Sequence, residues 1–170
     1  MFNYDGYLNK DYPSFVWLLL QIVFLSLVTS ALSLIFPDSI PLILGLSTFI
    51  ILCIEIWLGL GGKRWMLCWC LMVASFIVIA IVIAYPTYIA NAFIVLAFVA
   101  GTIIGFDAIY YKRRVAGTVH FVLAIVTAIV AWQLSSYIQI IIPAYFSLYA
   151  LARLIDYIEI KLILSKREPK

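Results

Sequence analysis

Five residues in this 170-residue chain carry groups that could do chemistry, and all five stand inside or beside long apolar runs: Glu55, Asp107, His120, Arg153 and Asp156. Ionisable side chains in such surroundings are costly, so they turn inward and pair, or mark a site. Two carboxylates on different segments could share a proton, as acid–base pairs do. A histidine, whose ordinary pKa is near 6.5, could change charge as its surroundings acidify. Arg153 and Asp156 stand three apart, close enough to pair along one helix. Arg153 could otherwise reach Asp107 or Glu55 on a neighbouring segment, leaving His120 to the remaining acid. The structural alternative is that these side chains snorkel to lipid headgroups and only fix helix tilt.

The elements that must position them are legible from composition. The chain is 66% hydrophobic and 11% charged, with a net charge of +3 and a mean hydropathy of +1.16. Soluble domains carry about a quarter charged residues, so the composition points to an all-α integral membrane protein with little mass outside the bilayer. The apolar runs predict six transmembrane helices at about 13–36, 40–60, 65–85, 88–111, 115–134 and 137–160. Each is long enough, at about 1.5 Å per residue, to cross a hydrocarbon core of roughly 30 Å. None alternates with period two, which excludes a β-barrel. The amino terminus lacks the order of a secretory signal, so the first run is expected to stay in the mature protein.

Ten of the eleven Lys and Arg fall at the amino terminus, in the loops after the second and fourth runs, or in the tail: Lys10, Lys63, Arg64, Lys112, Arg113, Arg114, Lys161, Lys166, Arg167 and Lys170. The turns around Pro37, Pro86 and Ser135 have none. This asymmetry places both termini in the cytoplasm, and orientation in the bilayer accounts for these clusters without a nucleic-acid partner. Trp57, Trp65, Trp69, Tyr110, Tyr111 and Tyr157 would mark one interface, and Tyr85, Tyr88, Trp132 and Tyr137 the other.

Pro37, Pro86 and Ser135 are 49 residues apart, and so are Asp107 and Asp156. Fixed-period self-similarity of this kind predicts three tandem helical hairpins inserted the same way, in a single membrane domain over 1–170. Glu55 keeps the beat less strictly, falling 18 residues after its turn where the two aspartates fall 21 after theirs. The three-residue deficit is close to one helical turn, so the carboxylate keeps roughly its face. On that basis Glu55, Asp107, His120, Arg153 and Asp156 share a depth, roughly 7 to 16 Å in from the cytoplasmic side.

Small residues supply candidate helix contacts. Ser26, Ser30 and Ser33 fall on one stripe of the first helix; Ala97, Gly101 and Gly105 form a second on the fourth; Ala124 and Ala128 lie beside His120 on the fifth. Such stripes let backbones approach closely, within one chain or between copies. Pro143 is expected to kink the sixth helix without ending it. Cys53, Cys68 and Cys70 lie inside apolar runs and read as inert buried thiols, with no metal or redox role. No motif for a cofactor is present.

Over most of Trp65 to Lys161 the chain resembles the HdeD-like bacterial membrane proteins, which are built from short tandem two-helix repeats. The resemblance rests on Arg64-Trp65 opening a repeat, Pro86 ending its first helix, Gly101 and Gly105 in its second, and the closing AGTVHFVLAIVTAIVAWQL and AYFSLYALARLIDYIEIK. The third repeat departs from that pattern at Thr118-Val119-His120 and lacks a proline at its outer turn. The resemblance implies a context of acid resistance in a bacterial cytoplasmic membrane, and no chemistry. The function expected is therefore non-enzymatic, exercised through helix packing and through lipid or a partner, either a second copy or another membrane protein. A small transporter, channel or substrate-binding subunit using the polar layer is the alternative. Catalysis ranks third: Gly105-Phe106-Asp107 lacks the second glycine of the aspartyl intramembrane proteases, and no HExxH, GxSxG or P-loop spacing occurs.

Overall fold

A computed structural model describes residues 4–60, 85–110 and 113–165, together with Val73, Phe76, Ala80 and Ala84. Among these residues the chain is all-helical and has no strand. We number the helices α1 (Tyr4–Ile35), α2 (Ile40–Leu60), α3 (Ile89–Tyr110), α4 (Arg114–Gln133) and α5 (Ile138–Ser165). All five are long and apolar enough to cross a membrane. α1 begins at Tyr4, ahead of the Pro13 start that the apolar run implied. The expected helix over 65–85 lies mostly outside the described residues, as do Cys68 and Cys70, although Val73, Phe76, Ala80 and Ala84 are helical. Cys53 is a free, half-buried thiol.

Three short 3-10 turns, Pro37–Ser39, Pro86–Tyr88 and Ser135–Tyr137, recur every 49 residues, and each leads directly into a helix. Proline suits the opening of such a turn because its φ is preset and its missing N–H would have no partner there. Ser135 opens the third turn without that help. Its geometry is held by backbone bonds from the Leu134 amide to the Val130 carbonyl and from the Tyr137 amide to the Leu134 carbonyl. Tyr85, Tyr88, Trp132 and Tyr137 are all exposed around these turns.

The helices pack in the order α2, α1, α5, α4, α3, with α3 against α4 and α1 against α5 as the most extensive contacts. The α3–α4 contact is where the glycine stripe is used. A Cβ on Gly101 would fall 2.7 Å from the Ala124 Cβ, and one on Gly105 would fall 2.8 Å from the Phe121 ring. The stripe thus makes its contact within the chain. Gly117, which the sequence reading passed over, completes it: a Cβ there would stand 2.5 Å from the Ile109 side chain and 2.8 Å from the Gly105 carbonyl oxygen. Ala97 and Ala124 are buried and Ala128 is half-buried on the same faces.

The serine stripe serves α1 against α5. Ser30 donates to the carbonyl oxygen of Pro143 at 2.9 Å and lies 2.9 Å from the Ser147 hydroxyl, tying the two helices together. Ser26 is equally buried but bonds its own helix, donating to the Ile22 carbonyl. Ser33 is buried with no partner for its hydroxyl among the described residues. Pro143 lies inside α5, which continues through it as expected. The core is apolar and aromatic: Ile22, Ile40, Leu44, Phe93, Ala131, Ile142 and the trio Tyr145, Phe146 and Tyr149.

Candidate functional site: a buried ionic cluster at the ends of α4 and α5

Asp156 is fully buried in α5, and two arginines reach it from different directions. Arg153, one turn earlier on the same helix, donates from Nη1 to one carboxylate oxygen at 2.9 Å. Arg113, the residue that immediately precedes α4, donates from its Nη1 to the other oxygen. One carboxylate thus bridges a local pair and a long-range pair. Taking a charge out of water into a low-dielectric interior is tolerable only when it is paired and hydrogen-bonded, and here both carboxylate oxygens are engaged.

Tyr149 extends the cluster inward. Arg153 donates from Nε to the Tyr149 hydroxyl at 3.3 Å, and its guanidinium carbon sits 5.6 Å from the Tyr149 ring centre. Residues 149, 153 and 156 lie at i, i+4 and i+7, one face of a helix, which is why two successive turns of α5 present all three together. The His120 ring stands 5.7 Å from the Tyr149 ring, centre to centre. It is 1% exposed, and neither of its nitrogens has a hydrogen-bond partner among the described residues.

A second carboxylate ties the same helix ends. Glu159 of α5 accepts the backbone amides of Val115 at 3.3 Å and Ala116 at 2.8 Å, in the first turn of α4. The first amides of a helix have no intrahelical partner, and negative charge there also meets the favourable end of the helix dipole. α4 has no capping side chain of its own at Arg113, so Glu159 supplies the cap from another helix.

Of the five residues expected to form a polar layer, His120, Arg153 and Asp156 come together, with His120 joined through Tyr149. Glu55 and Asp107 lie in α2 and α3, and their side chains fall outside the described residues. The pairing of Arg153 with Asp156 along one helix is present; its alternatives with Asp107 or Glu55 also fall outside the described residues. Arg113 requires a correction. Orientation in the bilayer does not account fully for the Lys112-Arg113-Arg114 cluster, because Arg113 is 6% exposed and committed to Asp156. Its backbone explains the turn inward: the Arg113 amide bonds to the Ala108 carbonyl, tucking the residue against the end of α3. Tyr149 and Glu159 were not singled out either. Tyr149 was findable from its spacing to Arg153; Glu159 carried no such signal.

No group of three or more His, Cys, Asp or Glu among the described residues is arranged to hold a metal ion. Comparison with protein-family models, curated proteins and solved structures finds no match for the chain.

Proposed function

We propose that this is a non-enzymatic multi-pass membrane protein of six spans, threaded as three tandem hairpins with both termini in the cytoplasm, which helps a bacterial envelope withstand acid. It works through helix packing and contact with lipid or a membrane-protein partner. The observation that carries the reading is the use to which a buried and a half-buried acid are put. Asp156 has both oxygens engaged by Arg113 and Arg153, and Glu159 caps a helix, so each acid holds helices together. The 49-residue recurrence of the turns supports the tandem arrangement. The apolar run over 65–85 supports a sixth span, and the segregation of Lys and Arg supports the orientation. The resemblance to the HdeD-like proteins supports the stress context, and His120, buried against Tyr149 at the edge of the cluster, is the residue whose substitution tests it.

The test is survival of a deletion strain after acid challenge, complemented with the wild-type gene or with His120→Ala. The deletion should reduce survival, the wild type should restore it, and His120→Ala should fall short. Equal survival of the deletion and the wild type would overturn the reading.

A small transporter or substrate-binding subunit is the second reading. The observation that favours it is a half-open cavity among α2, α3 and α5, bordered by Tyr149. Solute flux into liposomes containing the purified protein, absent from protein-free liposomes, would select it.

A further inference from the structure

Between α2 and α3, and floored by α5, lies a half-open cavity of about 50 Å³. Its walls are Leu44, Thr48 and Leu52 from α2, Phe93 and Ala97 from α3, and an aromatic floor that includes Tyr145 and Tyr149. α2 and α3 each contribute a wall of this space. We infer that the cavity seats a short stretch of one acyl chain of a membrane lipid. This rests on the part of the proposed function that assigns the protein a lipid partner.

Depth argues first for that occupant. Thr48 and Ala97 each stand 11 residues after their outer turns at Pro37 and Pro86, and Tyr145 stands 10 after Ser135. At about 1.5 Å per residue, all three are roughly 15 to 17 Å from the outer side, near the middle of a 30 Å hydrocarbon core. The molecules available at that level are hydrocarbon chains.

The lining argues second. A water molecule needs roughly 10 to 15 Å³ of such volume and two to four polar partners, so the space would admit about four waters by size. The walls are overwhelmingly aliphatic and aromatic, with Thr48 and the tyrosines the polar residues among them. The Tyr149 hydroxyl already accepts from Arg153. A dry site of this kind takes an apolar guest.

Tyr149 gives occupancy a consequence. One residue forms part of the cavity wall, bonds Arg153 and lies against His120. A chain in the cavity therefore bears on the residue that leads to the Asp156 cluster.

The experiment uses the full-length protein in nanodiscs containing a phosphatidylcholine with a diazirine midway along one acyl chain. After photolysis, adducts are mapped by mass spectrometry. Phe93 is 1% exposed and reports the cavity, whereas Val95 and Ile129, 51% and 52% exposed, report ordinary lipid contact. Adducts at Phe93 should match or exceed those at Val95 and Ile129. Thr48→Phe, which fills the space from α2, should reduce them at least tenfold while leaving the two surface positions unchanged. If Thr48→Phe does not fold, Ala100→Leu, at another wall position on α3, fills the same space and should act alike. Labelling of Phe93 far below the surface positions, or unaffected by filling, would overturn the site. Acid survival is read separately, so a strain phenotype without Phe93 labelling removes the cavity and keeps the stress role, and the converse result removes the stress role alone.

Discussion

Arg113 and Asp156, 43 residues apart in sequence, meet where the start of α4 crosses the last third of α5. Their contact turns a residue from a basic loop into part of the bundle's interior and anchors two membrane-length helices at one end.

Removing Asp156 leaves two buried arginines without the carboxylate they share, whereas removing Arg113 leaves Asp156 its bond from Arg153. Asp156→Ala should destabilise the protein by about 3 to 5 kcal/mol and Arg113→Ala by less. In a double-mutant cycle the two changes should fall short of additivity by about 0.5 to 3 kcal/mol. Reversible unfolding in mixed micelles measures both. Strict additivity would mean that the two side chains do not interact.

The α3–α4 contact should be sensitive to a single methyl group. Gly101→Ala would put a Cβ 2.7 Å from that of Ala124. We expect a loss of about 1 to 3 kcal/mol from overpacking. Ala124→Gly should restore most of it by removing the opposing carbon. Failure of the second change to rescue the first would place the strain elsewhere.

Two buried serines on one stripe should behave differently. Ser30→Ala removes the bond to Pro143 and the contact with Ser147 across α1 and α5, and should cost about 0.6 kcal/mol, the average for interhelical hydrogen bonds in lipid. Ser26→Ala removes only a bond within its own helix and should cost less. Equal losses in the same unfolding assay would contradict the assignment.

Glu159 should control the first turn of α4. Glu159→Ala removes the acceptor of the Val115 and Ala116 amides, at an expected cost of about 0.5 to 2 kcal/mol. Hydrogen exchange at the Ala116 amide should accelerate, while exchange in the middle of α4 stays slow. Unchanged exchange at Ala116 would show that the cap carries no weight.

How much of this was legible in the sequence differs by residue for physical reasons. The five described helices followed from the length of the apolar runs, because lipid leaves the backbone no other partner. Ser30 and Gly101 were legible because small residues at helical spacing have few uses in a membrane. Their partners were not, since a stripe does not state which helix it meets. Gly117 could have been found, lying seven residues before Ala124 on the face that carries His120. Arg113 could not, because a basic residue at a helix end reads the same whether it points to headgroups or turns inward. Only the backbone after Ala108 decides that. Glu159 was hidden for a related reason: its partners are backbone amides, which leave no trace in side-chain identity.

The account depends most on how the chain is threaded, since an even number of crossings puts the Asp156 cluster and both termini at one face of the membrane. Single cysteines at Asn3 and Pro169, with Cys53, Cys68 and Cys70 replaced by alanine, report this through a membrane-impermeant maleimide applied to intact spheroplasts. Both positions should remain unlabelled until the membrane is permeabilised, and then both should react. Labelling of one terminus and not the other in intact cells would contradict the six-span threading.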